Sequence, residues 1–113
     1  MAKKIAVVIR EDPRTTHRPV EALRIALGLV AGTHDTTVVL LNEAVCLLSE
    51  DLDDVVDMDI LEKYLPSIEN LEIPFILQAD ADRSLVQEQF TVQYHPAEYI
   101  RRFLTDVDRT LVF

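Results

Sequence analysis

A chain of 113 residues has the length of one domain, and 49% hydrophobic residues exclude a disordered segment. Twenty acids against eleven bases give a net charge of -9, which disfavours nucleic acid and anionic membrane surfaces as partners. One cysteine cannot build a disulfide framework or a multi-cysteine zinc site, and two glycines, Gly28 and Gly32, cannot write a dinucleotide fingerprint or a P-loop. The expectation is therefore a single domain over residues 1–113 that holds no nucleotide cofactor and no metal. Met1-Ala2-Lys3-Lys4 leads into a short apolar run that Arg10 and Glu11 cut off, which is unlike a secretory signal. No apolar run approaches the roughly 20 residues of a membrane span. Both features fit a cytoplasmic protein.

Residues 5–9 (Ile-Ala-Val-Val-Ile) are apolar without alternation, the pattern of a strand buried on both faces. A polar loop follows over 10–16, where Thr15 or Thr16 is placed to cap a helix that tolerates Pro19 in its first turn. Val20, Leu23, Leu27 and Val30 recur at helical spacing, with Gly32 as the stop. Residues 36–41 (Thr-Thr-Val-Val-Leu-Leu) read as a second buried strand, and 42–49 as a turn with a brief helix. An acidic connector spans 50–59. Ile60, Leu61, Tyr64, Leu65 and Ile68 then form a helical stripe that Pro66 is expected to kink or split.

Residues 73–77 (Ile-Pro-Phe-Ile-Leu) make a third strand, and Asp80 or Asp82 is placed to cap the short helix after it. Residues 90–94 read as a fourth strand. Pro96 opens a helix with Tyr99, Ile100, Phe103, Leu104 and Val107 on its apolar face and an i,i+4 pair between Glu98 and Arg102. Residues 110–113 close the chain as a fifth strand. Strands alternating with helices predict a three-layer α/β/α domain around a mostly parallel five-stranded sheet, flavodoxin-like in outline, with the first strand central. Ligands on such sheets bind beyond the carboxyl ends of the strands, here segments 10–17, 42–46, 78–82 and 94–96.

These segments resemble the DsrE/DsrF family, which includes the TusC and TusD subunits of the sulfur relay. The likeness rests on Lys4-Ile5-Ala6-Val7-Val8 followed by a threonine-containing loop and a long helix, and on residues 39–48, Val-Leu-Leu-Asn-Glu-Ala-Val-Cys-Leu-Leu. In that second motif Ala44 stands where the family has glycine, and Cys46 where it has an aromatic residue. The third motif is the ending Thr105-Asp106-Val107-Asp108-Arg109-Thr110-Leu111-Val112-Phe113. The resemblance implies assembly into trimers or hexamers of like or related subunits. It also implies a persulfide-bearing cysteine just after the third strand, but Leu77-Gln78-Ala79-Asp80-Ala81-Asp82 holds none. The chain thus looks like the non-catalytic subunits of the family, or like a small-anion-binding module derived from them.

Cys46 is the one candidate nucleophile, and the alternative function is a persulfide carrier that uses it. With Glu43, Glu50, Val45 and Leu47 around it in sequence, the thiol is expected to stay protonated and to pack as a small hydrophobe. Arg10, Arg14, Thr15, Thr16 and His17 cluster at a helix entry, a natural anion site unless capping and pairing with Glu11 and Asp12 satisfy them. The candidate ligand residues are Arg10, Thr15, Thr16, His17, Asn42 and Gln78. The acidic connector lacks calcium-loop spacing, and the three histidines show no zinc spacing. A receiver-like signalling domain is the other alternative. It has Glu11-Asp12 in its favour, but Asp80 comes late for the phosphate-accepting position and no lysine follows Lys63. Cys46, Leu47 and Leu48, together with Phe90, Val92 and Tyr94, are the expected excess apolar surface, and segment 42–50 the expected contact between copies.

Overall fold

The computed structural model describes residues 2–113. The elements run β1 (Lys4–Ile9), α1 (Arg18–Ala31), β2 (Asp35–Leu40), a 3₁₀ helix (Asn42–Leu48), α2 (Met58–Asn70), β3 (Phe75–Gln78), a 3₁₀ turn (Arg83–Leu85), β4 (Val92–His95), α3 (Ala97–Asp106) and β5 (Arg109–Val112). All strand pairs are parallel, in the order β4-β3-β2-β1-β5. Three successive connections step in one direction, and α3 then carries the chain back to the far side of β1. Right-handed crossovers put α1 and α2 on one face under this order, and α3 on the other.

The side chains show both faces. Val7, Ile9, Val38, Leu40, Phe75 and Leu77 point into the larger core cluster, with Val20, Leu23 and Ala26 of α1 and Leu61 and Ile68 of α2. Val8, Val39 and Ile76 point the opposite way, onto Ile100 of α3. This explains the unbroken apolar runs of β1 and β2, since a strand covered on both sides has no polar face to alternate with. The three layers and the parallel five-stranded sheet agree with the sequence expectation. The first strand is interior, but the middle position belongs to β2. The order also differs from the 2-1-3-4-5 of receiver and flavodoxin sheets, which counts against the receiver alternative.

Several local expectations are corrected. The N-cap of α1 is His17, which makes no side-chain cap bond; Thr16 Oγ1 accepts the Arg18 N–H at 3.3 Å, one position earlier than a standard cap. Gly32 does follow α1, but with an ordinary φ of -80°, and the left-handed residue is Thr33 at φ 68°. The Thr33 and His34 N–H groups close the helix end on the Val30 and Leu29 carbonyls. α2 runs unbroken through Pro66. Asp82, not Asp80, caps the turn after β3 by accepting from the Ser84 N–H at 3.0 Å.

In α3, Tyr99 is exposed and stacks on His95 with ring centroids 3.6 Å apart, Val107 lies beyond the helix, and Glu98 forms no ion pair with Arg102. The residues expected as surplus apolar surface are largely internal. Leu47 and Leu48 are fully buried, Phe90 meets Phe75 edge-on, and Val92 and Tyr94 pack against the larger core.

Candidate functional site

The loop after β1 is a tight turn organised by Asp12. Its carboxylate accepts from the Arg14 backbone N–H, Nε and Nη2, each at 2.9 Å, while Thr15 Oγ1 donates to the Asp12 carbonyl. The guanidinium holds the Asp12 carboxyl below its ordinary range, chiefly by side-chain hydrogen bonding, and its own pKa rises in return. Arg14 Nη2 also reaches Glu43 Oε2 at 3.0 Å, which ties this loop to the 3₁₀ helix after β2. Arg18 pairs with Glu11 at 3.6 Å. Arg14 of the loop and Arg18 at the start of α1 are therefore paired locally, and both threonine hydroxyls are engaged, Thr15 with the Asp12 carbonyl and Thr16 with the Arg18 N–H. Arg10 and His17 are exposed and enter no ion pair among the described residues.

Asn42 and Gln78 come together at the carboxyl ends of adjacent strands. Asn42 takes the left-handed conformation, φ 54°, directly after β2 and Leu41, and its N–H donates to Gln78 Oε1 at 2.9 Å. Among the described residues no hydrogen bond joins this pair to Arg10, Thr15, Thr16 or His17. The six candidate ligand residues thus form two groups, a helix entry and a two-residue latch.

Cys46 is half-buried in a pocket of about 230 Å³ lined by Arg14, Glu43, Val45, Ser49, Asp51, Asp54, Val55 and Leu85. A larger cleft of about 570 Å³ adjoins it through Ser49, Asp51 and Leu85, and continues along residues 84–89. Gln87 stitches this seam: its N–H donates to the Leu48 carbonyl and its Nε2 to the Ser49 carbonyl. Burial pushes the Cys46 thiol up to about 11; Arg14 opposes that rise, while Asp12 and Glu43 add to it. The thiol is therefore protonated at neutral pH, with no histidine lining the pocket to act as a base. Arg14, Ser49, Asp51 and Asp54 were not among the candidate site residues. The acidic connector carried the two aspartates, but nothing in the sequence showed that it folds over Cys46.

The stretch after β3 where the resemblance calls for a cysteine is a turn closed by the Ala81 N–H on the Gln78 carbonyl. The histidines are separated in role: His34 Nδ1 accepts from the Lys3 N–H, His95 bonds Gln93 Oε1, and His17 starts α1. Among the described residues no group of three or more His, Cys, Asp or Glu side chains could hold a metal ion, and no helix is long and apolar enough to cross a membrane.

No protein-family model matches the sequence, and no curated protein matches it. Among solved structures, the chain is similar to the crystal structure of the ychN protein from E. coli, with a TM-score of 0.70 and 15% sequence identity. The match covers 98% of this chain and 99% of that chain. At that identity the likeness shows the fold alone, a parallel five-stranded sheet with helices on both faces.

Proposed function

We propose that this chain is a DsrE-type subunit that does not carry sulfur and acts by assembling with copies of itself, as a trimer or hexamer, or with related sulfur-relay subunits. The observation that carries this reading is the state of its only thiol. Persulfide uptake needs a thiolate, and Cys46 is half-buried beside Glu43, Asp51 and Asp54 with its pKa pushed up to about 11. Gln78-Ala79-Asp80-Ala81-Asp82 offers no substitute nucleophile of comparable reactivity.

Incubation with a cysteine desulfurase and sulfur-labelled cysteine is expected to leave no stable label on the protein. Stoichiometric label on Cys46 overturns the proposal in favour of a persulfide carrier. A small-anion-binding role is favoured by one observation: Arg10 and His17, near the start of α1, are exposed and enter no ion pair among the described residues. Native mass spectrometry of the purified protein tests it: a bound small anion lost in an Arg10→Ala variant supports this role, and an unliganded mass rejects it.

A further inference from the structure

The two edges of the sheet differ. At β4 the residues are mostly half-buried, and the Arg83 guanidinium lies 4.1 Å from the Tyr94 ring centroid. At β5 all four residues are exposed, including Leu111 at 37% and Val112 at 48%. Leu111 pairs with Val7 and so shares the α1 face, while Val112 pairs with Val8 and shares the α3 face. Exposed apolar groups on both faces of an edge strand are flanked together by side chains of a strand added in the plane of the sheet, whereas a helix lying on one face reaches only one of them.

The backbone shows which groups are free. The Phe113 N–H donates to the Val8 carbonyl and its own carbonyl accepts from the Arg10 N–H, so Phe113 points its polar backbone at β1. Alternation over Arg109–Val112 then directs those of Leu111 and Arg109 inward and those of Thr110 and Val112 to the open edge, while the Asp108 N–H, ahead of the strand, is also turned inward to the Lys4 carbonyl. No proline or lysine stands in that edge, and its one charged residue, Arg109, lies at the start of the strand.

We infer that β5 is the contact edge for β5 of a second copy, joined antiparallel across a two-fold axis into one continuous sheet. This deepens the self-assembly reading above and rests on it. The outward groups of Thr110 and Val112 select the register. Pairing Thr110 with the partner copy's Val112 uses both outward residues of each strand and places Leu111 against its own symmetry mate on the axis. Arg109 then faces Phe113 of the other copy, so no like charges meet. Moving the axis to Thr110 would set Val112 against Asp108, whose carboxylate accepts the Lys4 N–H, and Leu111 against Arg109. The sequence of this edge is therefore self-complementary in the register that its free hydrogen-bonding groups allow.

Light scattering at tens of micromolar on the full chain, with circular dichroism as a check on folding, tests the contact. The wild type is expected at an even multiple of 12.9 kDa, which of the two states proposed above is the hexamer. A trimeric wild type overturns the β5 contact while leaving self-assembly standing. Thr110→Pro removes one outward donor and leaves the bonds to β1 in place, and is expected to halve that mass. A Leu111→Cys variant in a Cys46→Ser background is expected to form an interchain disulfide under mild oxidation, since the two side chains face each other on the axis, whereas Ile60→Cys in the same background is not. A monomeric wild type overturns both the self-assembly reading and this contact. An oligomer whose mass survives Thr110→Pro, with no Leu111→Cys cross-link, overturns the β5 contact and leaves self-assembly standing.

Discussion

Gln78, the last residue of β3, holds Asn42 in a left-handed conformation by accepting its N–H at 2.9 Å across 36 residues of chain. Asparagine tolerates this conformation better than other non-glycine residues, and the bond adds to that tolerance. Gln78→Ala is expected to cost about 0.5–1.5 kcal/mol. Asn42→Gly should be close to neutral, and Asn42→Val should cost about 1–2 kcal/mol. Urea unfolding of the three variants checks this order, and a harmless Asn42→Val would refute it.

Cys46 should react slowly. With the thiol at about 11 against an ordinary 9.0, the thiolate fraction at pH 8 is about a hundredfold below that of a free cysteine. Alkylation by iodoacetamide should be slower by roughly that factor in the native protein, and normal in denaturant. The linkage to stability has a definite sign. The unfolded thiol ionises first, so its contribution is intact below pH 9 and is lost as pH rises from 9 towards 11. Arg14 opposes the upward shift, so Arg14→Met should slow alkylation further. A native rate equal to the denatured one would contradict this account of the pocket.

Leu47 and Leu48 belong to the core although they lie on a seven-residue 3₁₀ segment. Either residue changed to alanine is expected to cost about 2–5 kcal/mol, because packed neighbours only partly fill the space left behind. Leu85→Ala, at a mostly exposed position on the facing turn, should stay within about 0.5 kcal/mol. Thermal melts of the three variants distinguish core from surface.

Two substitutions near the end of α1 should stabilise the protein. A Cβ at Gly28 would meet nothing within 4 Å, so Gly28→Ala is expected to gain about 0.5–1 kcal/mol from helix propensity. Thr33 is β-branched and left-handed at φ 68°, so Thr33→Gly should relieve about 1 kcal/mol of steric cost. For a domain of this size each should raise the melting temperature by about 4–8 °C per kcal/mol, and a lowered melting temperature for either would contradict the local geometry.

The kinds of element and the strands covered on both faces were legible in the sequence, because apolar period and turn residues act locally. The unbroken run over residues 5–9 read as a strand buried on both faces, and the helical stripe through Leu23 and Leu27 as a face turned to the core, and both are so placed. The absence of a cysteine after β3 needed no structure at all. Short segments without a period were opaque: nothing in residues 42–48 tells which side chains turn inward, so Leu47 and Leu48 read as surface. Gly32 marked the end of α1, but the hydrogen bonds of that end put the left-handed turn on Thr33. The latch between Asn42 and Gln78 and the fold of the acidic connector over Cys46 join distant parts of the chain, and no local rule reaches across them. Strand order was decided by tertiary packing alone. The helices α1 and α2 cover one face of the sheet together, and α3 covers the other on its way back to the far side of β1; that packing put β2 in the middle and left the apolar side chains of β5 at the open edge.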